Sequence, residues 1–148
     1  MAKRTTLSYA ATHMVRDNCL CLHVQRAARQ LARRFDEALK PAGLTHGQFS
    51  LMMSLNRPTP PKIGDIAALL AMDRTTVTAN LKPLERRGFI AVAADPDDRR
   101  SRVLALTKAG GKALATAVPL WVDAHAALER ELPRAALGRL RADLRALS

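Results

Sequence analysis

Apolar residues recur at three- and four-residue steps along most of this chain. From Asp17 onward, Leu20, Val24, Ala27, Leu31, Phe35 and Ala38 mark one face of a long helix, which Pro41 and Gly43 end. Residues 1–16 show no such period and are expected to form a loose arm. Thr45 is placed as an N-cap, with Gln48 as its capping-box partner, ahead of a short helix (QFSLMMSLN) apolar on nearly all sides and therefore buried. The prolines of RPTPP (57–61) exclude helix and predict a stiff connector. Ile63, Ile66, Ala67 and Leu70 then outline a short helix, Ala71-Met72 a tight break, and Asp73 the cap of a second helix with Val77, Leu81 and Leu84 on one face. Gly88 stops that helix.

After Gly88 the pattern changes. FIAVAA and SRVLALT flank the polar, turn-rich DPDDRR, which predicts two short strands joined as a β-hairpin. Thr107 caps a long helix to about Leu132, carrying Leu114, Ala117, Trp121, Ala124 and Leu128, with a kink expected at Pro119. Pro133 suits the first turn of a last helix, where Leu137, Leu140, Leu144 and Leu147 form a seam for another helix. The expected fold is mainly α with a small β-wing. Residues 45–106 make a winged helix-turn-helix, and residues 17–44 with 107–148 make a helical dimerisation region.

Composition agrees with a helical, packed protein: 48% hydrophobic residues and only 3% aromatic. Without a long uncharged apolar run or an apolar leader, a cytoplasmic protein with no membrane partner is expected. The net charge of +11 points to a polyanionic partner. Charge does not locate the contact, because residues 73–102 hold seven Lys/Arg against five Asp/Glu.

The candidate chemistry lies on the second helix of the pair and on the hairpin. Opposite its apolar face, that helix carries Arg74, Thr75, Thr76, Thr78, Ala79 and Lys82. Threonine hydroxyls bond bases or phosphates, and a short hydroxyl-rich face suits the major groove of duplex DNA. Arg99, Arg100 and Arg102 follow the acidic turn, and Arg100 is the best placed to enter a minor groove. Asp98 is expected to brace its guanidinium by a forked pair.

These segments, DRTTVTANLKPLERRGFI and DPDDRRSRVLALTKAG, resemble the MarR family of bacterial regulators. The resemblance implies a homodimer in which the first and last helices of both chains intertwine. It also implies a pseudo-palindromic DNA operator and repression released by a small ligand or an oxidant. By position it puts Thr75, Thr76, Thr78 and Lys82 at the major groove and Arg100 in the minor groove. Three positions depart from the family's pattern: Ala71 stands where glycine is common in the turn, Ala79 where arginine is common, and Pro83 lies inside the recognition helix.

Two further groups carry candidate chemistry. Cys19 aligns with His23 and Arg26 and is a candidate redox sensor, while Cys21 falls in the apolar register and reads as a core thiol. Two residues apart on one helix, the thiols point about 200° apart and cannot share a bond or a metal. Trp121, with His23 and Arg26, is a candidate for lining a ligand pocket, although core packing is the simpler role. No metal or cofactor site, and no catalytic motif, is read from the sequence. The rival to DNA regulation is a protein-docking module using the winged helix and the C-terminal leucine seam.

Overall fold

The computed structural model describes residues 6–148. Its helices are α1 (Tyr9–Asn18), α2 (Leu20–Leu39), α3 (His46–Ser54), α4 (Ile63–Leu69), α5 (Arg74–Arg86), α6 (Lys108–Glu129) and α7 (Arg134–Ala146). Strands β1 (Ile90–Ala94) and β2 (Arg102–Leu106) lie between α5 and α6, and a 3-10 turn (Lys40–Ala42) follows α2. Two compact units divide the chain at Arg33/Arg34, a boundary that falls inside α2.

The first unit corrects the N-terminal expectation. Residues 9–18 are helical, not a loose arm, and Ser8 Oγ caps α1 by accepting the Ala11 N–H at 3.3 Å. The helix expected to begin at Asp17 is broken at Cys19, whose ψ of 105° is extended. Cys19 Sγ then accepts the Leu22 N–H at 3.4 Å, serving the first turn of α2. Beyond the break, the apolar face of α2 is open to water in one protomer, with Leu20 68% and Val24 41% exposed.

The second unit holds the core, centred on Leu39, Met52, Ile66, Val77, Leu84 and Leu104. Three helix starts follow the expected caps. Thr45 and Gln48 form the full capping box of α3. Asp73 accepts the Thr76 N–H at 2.7 Å and Thr107 accepts the Gly110 N–H at 3.1 Å. Each satisfies a donor that would otherwise lack a partner in the first turn. Arg34 makes a two-pronged bond to Glu131, at 2.8 and 2.5 Å, tying the end of α2 to the turn after α6. Helix α6 runs through Pro119 as a single element.

β1 and β2 pair antiparallel from Ile90↔Leu106 to Ala94↔Arg102. The connector before α4 contributes more than a spacer. Lys62 pairs with Val103 as an isolated antiparallel bridge, and Leu104 N–H donates to Pro61 O at 2.9 Å. Proline lacks an N–H but keeps its carbonyl, so Pro61 can accept from β2 while the Lys62 N–H serves the start of α4.

Candidate nucleic-acid interface

Helices α4 and α5 cross where Ala67 and Ile66 are buried against Val77 and Leu81. The small side chain of Ala67 permits the close approach. Between the helices, Met72 N–H donates to Ala67 O at 2.9 Å and Ala71 N–H to Ala68 O at 3.3 Å. This pair of bonds is the Schellman closure of a helix end, and it requires the left-handed φ of 51° found at Ala71.

With Val77, Leu81 and Leu84 held in the core, the opposite face of α5 turns outward. Arg74, Thr75, Thr76, Thr78 and Lys82 are all exposed there. The three threonines are not equivalent. Thr76 Oγ1 donates to Asp73 Oδ2 at 2.7 Å, and Thr78 Oγ1 donates to Arg74 O at 2.8 Å. Their protons are committed inside the helix, so outward they offer an acceptor oxygen and a methyl group. Thr75 makes no such internal bond among the described residues and keeps its donor. Pro83 lies in the last turn of α5, beyond the threonines.

The wing departs from expectation in one respect. Asp98 does not fork to the guanidinium of Arg100. Its Oδ1 accepts the Arg100 backbone N–H at 3.0 Å and its Oδ2 accepts the Ser101 hydroxyl at 2.7 Å. An aspartate two residues before an N–H in a turn reaches the backbone over a shorter path than the end of a long side chain. These two donors, the Ser101 hydroxyl first, hold the Asp98 carboxyl below its usual range. Asp98 thus braces the turn and leaves the arginine side chain outward. Arg99, Arg100 and Arg102 are exposed and have no ion-pair partner among the described residues.

A link absent from the sequence reading lies at the wing's base. Lys62 Nζ donates to Asp95 Oδ2 at 2.7 Å, and Asp95 is only 6% exposed. The Lys62 ammonium, and after it the Asp97 N–H, hold the Asp95 carboxyl below its usual range. The only signal in the sequence is an acid directly after an apolar strand, and its partner lies 33 positions away.

One open cleft of about 490 Å³ joins the two reading elements. Arg74 and Thr78 line it from α5, Arg100 and Arg102 from the wing, and Lys62 and Gly64 from the start of α4. Gly64 leaves room for Arg74, since a β-carbon there would come within 2.9 Å of Arg74 Nη2.

The other candidate residues fall elsewhere. Trp121 is half-buried, stacks on Phe49 with ring centroids 6.2 Å apart, and lines an apolar cavity of about 500 Å³ with Met53, Leu69, Leu70, Val118 and Val122. Within the first unit, His23 Nε2 lies 3.1 Å from Asp17 O, and Arg26 lines a shallow cleft with Arg29, Gln30 and Arg33. Cys19 is half-buried. Cys21 is exposed rather than a core thiol, its Sγ accepting from Gln25 Nε2 at 3.0 Å. The face of α2 that carries it has no covering element within the first unit.

Comparison with known proteins adds an independent line. The MarR family model matches residues 44–101. The transcriptional activatory protein BadR of Rhodopseudomonas palustris is 34% identical over 115 residues, covering 74% of this chain and 66% of BadR, so the match spans about two thirds of that relative. Among solved structures, the Mycobacterium tuberculosis regulator MosR in complex with DNA superposes with a TM-score of 0.81 at 36% identity, covering 88% of this chain and 93% of MosR. The repressor CouR bound to a 23-mer DNA duplex gives a TM-score of 0.81 at 28% identity over 97% of this chain and 99% of CouR. Element order, threonine face, wing and these similarities agree: the chain belongs to the MarR family.

Proposed function

We propose that the protein is a sequence-specific, double-stranded DNA-binding transcription regulator that acts in the cytoplasm as a homodimeric repressor. The observation that carries this reading is the single cleft bringing Arg74 and Thr78 of α5 together with Arg100 and Arg102 of the wing. A sugar-phosphate ridge separates the major groove from the adjacent minor groove. A cationic cleft between a hydroxyl-bearing helix and an arginine-bearing hairpin matches that relief. Thr75, Thr76, Thr78 and Lys82 then read or flank the major groove, and Arg99, Arg100 and Arg102 meet the backbone and the minor groove. MosR and CouR, similar along most of their length, have each been solved with DNA.

Dimerisation is supported by the exposed apolar faces of α2 and α7, where Leu140 and Leu144 are more than 40% exposed in one protomer. Two such protomers present their α5 helices to a pseudo-palindromic operator, about 34 Å apart on one face of the duplex. Release is assigned to a change in that spacing. The apolar cavity beside Trp121 is the seat proposed for a small apolar effector. Cys19, at the break between α1 and α2, is the thiol proposed for an oxidant. Peroxide should release DNA from the wild type and not from Cys19→Ser, and equal release from both would remove Cys19 from the mechanism.

Selection of bound duplexes from a random pool, followed by band-shift titration at 50 and 200 mM salt, tests the main reading. The expected result is a two-half-site consensus and a steep fall in affinity with salt. Equal affinity for selected and unselected duplexes would refute it and favour protein docking instead.

A further inference from the structure

We propose that Lys62 and Asp95 form a latch between the helix-turn-helix and the wing, acting as positioning residues that set the direction of Arg100 for DNA binding. The inference rests on the DNA-binding reading above and extends it to an exposed lysine at the start of α4 and a buried aspartate at the wing's base.

Lys62 is fixed on the helix-turn-helix side. Its N–H donates to the Asp65 carboxylate at 3.0 Å at the start of α4, and its backbone pairs with Val103 of β2. Its side chain crosses β2 to reach Asp95, just beyond the end of β1. Asp95 is the only buried charged side chain among the described residues. Both of its oxygens are engaged, Oδ2 with Lys62 Nζ and Oδ1 with the Asp97 N–H at 2.9 Å. Its own N–H donates to Ser101 O at 3.0 Å.

The turn hangs from this point. Asp95 orders Asp97, Ser101 N–H donates to Asp98 O at 2.9 Å, and Asp98 holds the Arg100 N–H and the Ser101 hydroxyl. A continuous run of polar contacts therefore leads from the start of α4 to the backbone of Arg100. It also explains how an acidic turn can face a polyanion. The carboxylates of Asp95 and Asp98 are spent on internal donors, which leaves the exposed Asp97 as the acid of the turn set against the three outward arginines. Removing Lys62 alone would leave a buried carboxylate without its cation, which strains the wing's base rather than the fold's centre.

A double-mutant cycle on DNA affinity separates positioning from general stability. The probe is the duplex recovered by selection, and the variants are Asp95→Asn, Arg100→Ala and their combination. The expected result is a loss of about tenfold for Asp95→Asn in the wild-type background and of less than about twofold in the Arg100→Ala background, because a misdirected arginine cannot be lost twice. Lys62→Arg, which keeps the ion pair, should bind within about twofold of wild type. Should Asp95→Asn fold poorly, Lys62→Met combined with Asp95→Asn removes both charges at once and should show the same loss. Equal losses in both backgrounds, or wild-type affinity in folded Asp95→Asn or in the folded Lys62→Met, Asp95→Asn double variant, would overturn the proposal while leaving DNA binding in place. No site-specific binding by the wild type would overturn both.

Discussion

Ala71 occupies, after α4, the same left-handed position that Gly88 occupies after α5. Both follow a C-cap residue, and both sit inside the same pair of backbone bonds. Met72 and Ala71 donate to Ala67 and Ala68, as Phe89 and Gly88 donate to Leu84 and Glu85. The φ values are 51° and 71°. Glycine takes this conformation without penalty, whereas an L side chain pays about 1–2 kcal/mol. Ala71→Gly should therefore stabilise the protein by up to about 1 kcal/mol, after the greater chain entropy of glycine is counted. A higher urea midpoint with unchanged slope would verify it, and a lower midpoint would show that Ala71 is unstrained.

Gly110 and Gly111 make an opposed pair of controls. A β-carbon on Gly110 would overlap the carbonyl oxygen of Phe89, the same oxygen that accepts the Thr107 N–H at 3.0 Å. One on Gly111 would meet nothing within 4 Å. Gly110→Ala should cost about 2–3 kcal/mol by forcing α6 away from β1. Gly111→Ala should gain up to about 1 kcal/mol of helix propensity. Thermal melting of the two variants reads the difference in sign.

The unequal threonines give a prediction about function. Thr75→Val should weaken the selected duplex by about fivefold, one hydrogen bond's worth, with an unchanged melting temperature. Thr76→Val removes the hydroxyl bonded to Asp73 and should lower stability by about 0.5–1 kcal/mol through the α5 cap. Band shift and calorimetry on the same preparations would reveal whether the two effects separate in this way.

Acid stability follows from the wing and the caps. Asp95 is lowered by the Lys62 ammonium, Asp98 by the Ser101 hydroxyl, and Asp73 by the Thr76 hydroxyl. A carboxyl lowered in the folded state stabilises fully above its unfolded-state value of about 3.9, and that contribution is lost as pH falls through the folded-state value. The melting temperature should hold between pH 7 and about 5 and fall below about 4. Asp95→Asn should flatten part of that acid limb; an identical pH profile for the variant would exclude Asp95 from it.

Much of this architecture was legible because it is local. Thr45 with Gln48, Asp73 and Thr107 cap helices through donors three residues away, and Val77, Leu81 and Leu84 repeat with the helix. The break at Cys19 was hidden because neither glycine nor proline marks it and Leu20 continues the apolar period. The expected fork between Asp98 and Arg100 failed to a local competitor, the backbone N–H of the same arginine. The Lys62–Asp95 pair is not legible because periodicity does not report contacts 33 residues apart, least of all one that starts at the edge of a proline-rich connector.

The leucine face of α7 has a consequence for dosage. Leu140, Leu144 and Leu147 face water in a single protomer, and so do Leu20 and Val24 of α2. A surface of that kind is covered only by mass action, so the free energy of the native state depends on the logarithm of protomer concentration. Copy number then tunes more than operator occupancy. A cell that makes little of this protein holds it less firmly folded, and the proposed regulation fades with expression more steeply than binding alone would require.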